Sequence, residues 1–190
     1  MKNLFKLLFA GIVLAGLGTN AFAQSSSSTT ASVTATLLTN VAIVKNTDVT
    51  FAQVASGTVP TLDASTGVIS NAGTGAHLGK LTVTATGGSS VKLSYDAAVD
   101  MVGPGSTKLT FTPSLYRTAL TNDTYGATSV GNPQVYTVNS SSSSAVAGTD
   151  MLFVGGTLGA YGTSSAIPAL DTNLVTGSYT GTFHITATYN

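Results

Sequence analysis

Three observations predict an all-β chain that folds as one antiparallel sandwich. The last fourteen residues, Gly177 to Asn190, hold a period of two to the end: Tyr179, Gly181, Phe183, Ile185, Ala187 and Tyr189 alternate with Thr180, Thr182, His184, Thr186 and Thr188. Successive side chains of an extended chain point to opposite faces, so this stretch predicts a strand with an apolar face and a threonine face. After residue 23, no segment sustains apolar spacing at three and four residues behind a helix cap, whereas short alternating runs bounded by Gly, Pro, Asn and Ser recur throughout. Charge is scarce too, at 7% of residues against the roughly 25% usual in soluble domains, so threonine and serine must keep the surface wet.

Taken in order, Met1 to Ala23 has the three parts of a secretory signal: Lys2 and Lys6, an apolar stretch from Leu7 to Leu17, and Ala21, Phe22, Ala23 as the cleavage site. The apolar stretch is shorter than the roughly 20 residues that span a bilayer, so the reading is export without a membrane span. Residues 24–30 form a polar leader, and the domain runs over 31–190. Val33, Ala35 and Leu37 open the alternation, which slips phase into Val41 and Ile43; Val49, Phe51 and Val54 follow. Between Ala55 and Gly79 the Gly, Ser and Thr content predicts loops with two short edge pieces, Val59-Pro60 and Val68-Ile69.

Leu81, Val83, Ala85 and Val91, Leu93, Tyr95 flank Gly87, Gly88, Ser89 and Ser90, and this predicts a hairpin with those six side chains inward. Lys108 to Thr112 reads as a strand stopped by Pro113, and Val135 to Val138 as another that ends in the serine run 140–144, a mobile loop. Met151 to Val154, continuing into Gly155, Gly156, Thr157 and Leu158, is an unbroken apolar piece suited to a central strand covered on both faces. The count is about eight to ten strands at sandwich spacing, hence an immunoglobulin-like fold.

The chain has no cysteine, which excludes both a disulfide framework and a lipidated N-terminal cysteine. Beyond the signal, five cations (Lys45, Lys80, Lys92, Lys108, Arg117) stand against seven aspartates and no glutamate, a net charge of −2. Such a surface has no field to gather phosphates, so nucleic acid is not an expected partner.

The motifs name no reaction. Gly73, Gly75 and Gly79 miss the dinucleotide spacing and precede a strand instead of a helix, which leaves a plain glycine loop. His77 and His184 have no second histidine or glutamate at ligand spacing, and His184 falls on the threonine face of the last strand. The nucleophile elbow Gly-x-Ser-x-Gly is absent. Asp96 with Asp100, and Asp171 with Asn173, offer oxygens for calcium but match no complete loop, and scattered aspartates select no glycosidase pair. Tyr116, Tyr125, Tyr136 and Tyr161 could form an aromatic platform for sugar, against the plainer reading that strands bury tyrosine routinely. The expectation is therefore no catalytic residue, no metal and no cofactor.

Two segments carry a family resemblance. Met151 to Leu158 and Gly177 to Asn190, with Asp48 to Val54, resemble the DUF4402 family of exported bacterial proteins, a family of unassigned function. Separately, the tail resembles subunits assembled by the chaperone–usher route, with Tyr189 penultimate and Gly177 fourteen places from the end. That resemblance implies a fold short of one strand, a periplasmic chaperone that lends one along the final strand, and a neighbour's N-terminal extension that later replaces it. Ala31, Val33, Ala35 and Leu37 would then be the donor residues; the alternative is that this first strand completes the sandwich of its own chain.

The expected role is an exported structural or adhesive subunit, fimbrial-like, at the cell surface, in the extracellular space or in the periplasm. It would assemble by strand pairing through Val33, Ala35, Leu37, Gly177, Tyr179, Phe183, Ile185, Ala187 and Tyr189. Its partners would be further copies of itself, a chaperone or a glycan. The alternative is a monomeric extracellular carbohydrate-binding module.

Overall fold

A computed structural model describes residues 37–119, 125, 128–139, 147–160 and 174–190, all within one unit, Leu37–Asn190. The expected polar leader and the residues Ala31, Val33 and Ala35 lie outside the described residues, as do the serine run 140–144, Asp171, Asn173 and Tyr161.

The strands are β1 (Ala42–Thr47), β2 (Thr61–Leu62), β3 (Ile69–Ser70), β4 (Gly79–Thr86), β5 (Ser90–Tyr95), β6 (Val99–Val102), β7 (Lys108–Ala119), β8 (Thr128–Val130), β9 (Gln134–Thr137), β10 (Ala147–Ala160) and β11 (Ile185–Tyr189). A 3-10 turn at Pro104–Ser106 joins β6 to β7, and the described residues contain no α-helix. Every pairing is antiparallel. One sheet has eight strands, ordered β1-β4-β10-β2-β3 with β7 on the other edge of β10 and β6 and β8 beyond it; the second is β11-β5-β9. This is the all-β sandwich the alternation predicts.

The core between the sheets follows from the period of two. Leu81, Val83 and Ala85 of β4, Leu115 of β7, and Leu152 and Val154 of β10 meet Val91 and Leu93 of β5 and Tyr136 of β9, all buried. Burial of each larger side chain here contributes about 1.5–3 kcal/mol. The opposite face of β10 is covered as well: Phe153 is fully buried against Leu62, Ala64, Ala72 and Leu78 of the long connection between β1 and β4. The expectation of a central strand covered on both faces is met.

Three sequence expectations are corrected. The hairpin does not form: β4 and β5 lie in different sheets, and the turn between them is an arch. Ser89 N–H closes it onto the Thr86 carbonyl at 3.1 Å, while Gly88 N–H donates to Val138 O and Val138 N–H to Ser89 O, both at 2.9 Å. In a hairpin the two apolar faces would share one side of one sheet. The arch sets them against each other, so Leu81, Val83, Ala85, Val91 and Leu93 stay inward as expected while the pairing changes.

Pro113 does not stop its strand, because β7 runs on to Ala119. On the edge away from β10, β6 pairs with residues 108–111 and β8 with residues 115–117, so Pro113 occupies the gap between them, where a missing N–H breaks no ladder on that edge. The tail is not one continuous strand either. Its ladder covers only Ile185–Tyr189 against β5, preceded by a single bridge between Thr180 and Val102 of β6. The segment begins on the large sheet and ends on the small one, and crossing between them takes residues 181–184 off either ladder. The side-chain alternation survives: Tyr179, Phe183, Ile185, Ala187 and Tyr189 are half-buried, and Thr180, Thr182, His184, Thr186 and Thr188 are exposed.

Candidate functional site

The switch of the tail from one sheet to the other leaves an opening along the side of the sandwich. Among the described residues, β1 pairs only with β4 and β11 only with β5, so each sheet ends in a free edge on the same side of the molecule. Between these edges lies a groove of about 900 Å³, walled by Ile43, Lys45 and Thr47 of β1 and by residues 178–186 of the tail. Its floor is the interior itself, exposing parts of Leu81, Val99, Met101, Phe111, Phe51 and Phe183.

The edges run antiparallel, since β1 opposes β4 and the arch brings β5, the partner of β11, back the other way. They meet at one end. There the Tyr189 hydroxyl accepts Thr86 N–H at 2.8 Å and donates to the Thr39 carbonyl, while Thr39 N–H donates to Thr86 Oγ1 at 2.7 Å. The other end stays open around Val49, Phe51 and Tyr179. Such a sandwich, with edges joined at one end and parted at the other, presents backbone groups unpaired among the described residues beside exposed core, the arrangement an added strand completes.

Local contacts stiffen the walls. Phe183 tilts against Tyr95, centroids 6.0 Å apart, and Phe51 meets Phe111 edge-on at 5.7 Å. Burial raises the Tyr95 phenol above its ordinary range, and its hydroxyl donates to Val130 O at 2.9 Å. Tyr179 packs over Gly103, where a Cβ would fall 2.3 Å from the ring, and shares a hydroxyl contact with Thr107 at 2.8 Å. At the mouth, Asp96 Oδ2 accepts the His184 backbone N–H at 2.8 Å and lies 2.9 Å from His184 Nδ1. These two contacts, the backbone one foremost, hold the Asp96 carboxyl below its usual range. Lys45 of β1 pairs with Asp48, just past the strand end, at 2.7 Å in an exposed position, so the charge on this edge is already answered locally.

Of the residues the sequence pointed to, Tyr179, Phe183 and Ile185 line the groove, and Tyr189 closes its narrow end. Ala187 packs on the inter-sheet core, and Gly177 sits outside the groove, its Cα facing Pro104. Leu37 is 96% exposed and in no strand. The sequence reading missed the β1 wall, the floor from Val99, Met101 and Phe111, and Thr39 with Thr86. These lie far apart in the chain, and no local pattern joins them.

The other candidates do not converge. Asp96 is engaged by His184, whereas Asp100 faces Lys108 at 3.8 Å, so the two share no cation position. His77 Nδ1 meets the Gly75 carbonyl at 3.1 Å inside the glycine loop, where Gly73 and Gly75 both take positive φ. Of the four tyrosines, Tyr136 is buried in the core under Arg117, Tyr125 tilts onto Phe153, Tyr116 is half-buried on the outer face, and Tyr161 lies outside the described residues. Among the described residues no three His, Asp or Glu side chains come together as a metal site. No helix among them is long and apolar enough to cross a membrane. No protein-family model matches the chain, and no curated protein matches it.

Proposed function

We propose that this protein is an exported structural subunit, fimbrial-like and adhesive in role, that joins its neighbours outside the cell by strand pairing. One observation carries the reading: two antiparallel sheet edges, free among the described residues, flank a groove whose apolar floor opens straight into the core. An added strand there gains backbone hydrogen bonds on both sides and buries side chains on one face only, so its sequence must alternate. Residues 31–37 alternate in that way, with Ala31, Val33, Ala35 and Leu37 on one face and Ser32, Thr34 and Thr36 on the other. The occupant proposed is this segment of a neighbouring copy, with a periplasmic chaperone as its predecessor.

The absence of cysteine makes the test clean. Two single variants, Ala35→Cys and Ile185→Cys, are mixed under mild oxidation and run without reductant. A disulfide-linked heterodimer that a synthetic peptide of residues 24–38 competes away is the expected result. If no heterodimer forms, and deletion of residues 24–37 leaves both the oligomer distribution and the unfolding midpoint unchanged, the reading fails.

A further inference from the structure

The outer face of the eight-stranded sheet is covered over Phe153 by the β1–β4 connection, but that cover ends at β2. Beyond it lies a depression of about 300 Å³ floored by Gly156 and Thr157 of β10 and walled by β2 on one side and residues 112–116 of β7 on the other. Alternation along β7 turns Thr112, Ser114 and Tyr116 outward, while Phe111, Pro113 and Leu115 are buried. Thr157 rises from the floor, and Thr61 of β2 and Asp63 just after it face it.

Thr186 and Thr188 stand on the exposed face of β11. Here four hydroxyls confront one another across a trough on hydrogen-bonded strands, which fixes their spacing. Each is both a donor and an acceptor. The Asp63 carboxylate is held rigid: Oδ1 accepts Ser65 N–H at 2.8 Å and Ser65 Oγ at 2.6 Å, and Oδ2 accepts Thr66 Oγ1 at 2.7 Å, which leaves acceptor capacity toward the trough. Tyr116 adds an aromatic surface at one end. No lysine or arginine lines the site, so nothing in it would compensate a phosphate, a sulfate or a uronic acid.

We propose that this trough binds the neutral terminal residue of a saccharide, its vicinal hydroxyls exchanging hydrogen bonds with Thr112, Ser114, Thr157 and Asp63 while one sugar face rests against Tyr116. Pairing of donor–acceptor hydroxyls with a fixed carboxylate and one aromatic ring suits a polyol and no common anion. The site lies away from the strand groove and shares no residue with it.

The test is a titration of the mature chain, labelled with 15N, by glucose, galactose, mannose and N-acetylglucosamine, with glucuronate as the anionic control. Saturable shifts with one or more neutral sugars, confined to residues 61–63, 112–116 and 157 and in the millimolar range, are expected. The Ser114→Ala/Thr157→Val double variant, which keeps side-chain volume and strand pairing, should bind about tenfold more weakly with an otherwise superimposable spectrum. No saturable shift with any of the four sugars, shifts centred elsewhere, equal binding by the double variant, or equal binding of glucuronate would each overturn the proposal. Deleting residues 24–37 should leave this binding unchanged, which separates its failure from failure of strand pairing.

Discussion

The hydroxyl of Tyr189, one residue from the C-terminus, donates to the carbonyl of Thr39, 150 positions earlier, and accepts the amide of Thr86 on β4. One phenol thereby ties the small sheet to the large one at the end where their free edges meet. Tyr189→Phe keeps the ring and removes this node, leaving the Thr86 amide without its partner. A loss of about 1–3 kcal/mol in urea unfolding is expected, because an orphaned, part-buried donor costs more than a mean hydrogen bond. An unchanged midpoint would show that the two sheets are not fastened there.

How much of this was legible in the sequence divides along a physical line. Which side chains face inward was legible almost everywhere, because alternation is local: the apolar residues of β4, β5 and the tail all turn inward as read. Which strands pair was not. Gly87 and Gly88 permit a hairpin and an arch equally, and the choice is made by Val138, whose backbone takes the turn's hydrogen bonds from about 50 residues away. Pro113 misled for a related reason, since its effect depends on whether a neighbour needs its N–H, a fact belonging to β6 and β8. The groove was legible only by half. Its tail wall carries a strong period, while β1 and the floor acquire meaning only once two sheet edges are brought side by side.

Arg117 and Asp150 form the one strongly buried ion pair among the described residues, at 3.5 Å with Asp150 wholly inaccessible. Burial raises the Asp150 carboxyl above its usual range, and attraction to Arg117 only partly opposes this. Among the described residues, Asp150 Oδ1, Arg117 Nε and the Tyr136 hydroxyl find no side-chain partner, and the Asn139 backbone, like Arg117, favours the charged carboxylate. Arg117→Met should therefore cost about 3–5 kcal/mol at neutral pH by stranding a buried charge, and distinctly less near pH 4. A loss independent of pH would argue that Asp150 is neutral throughout.

The same raised carboxyl sets a sign for the intact protein. A group whose folded pKa lies above its unfolded value of about 3.9 contributes stability below that value and loses it as pH rises through the folded pKa. Asp63 and Asp96 act oppositely: hydrogen bonds, from Ser65 in the first case and His184 in the second, lower them, so their contribution is present above the unfolded pKa and lost on acidification. Stability of the wild type minus that of Asp150→Asn, measured by urea unfolding from acid to neutral pH, should fall as pH rises. A flat or rising difference would contradict the assigned direction.

Gly155 marks where the β2 segment presses onto β10. A Cβ there would lie 2.1 Å from the Leu62 carbonyl oxygen and 2.8 Å from the Ala64 amide nitrogen, both backbone atoms that cannot swing aside. Gly155→Ala must then push β2 off the sheet or displace β10, and β10 is locked between β4 and β7 along most of its length. The yielding element is the two-residue strand β2, which carries Leu62 and with it the cover over Phe153. Overpacking of this kind costs about 1–3 kcal/mol. Hydrogen exchange locates it: the amides of residues 61–64 and 69–70 should lose protection, while residues 91–95 of β5, in the other sheet, keep theirs. Uniform loss across both sheets would mean that the cover and the sandwich core unfold as one unit.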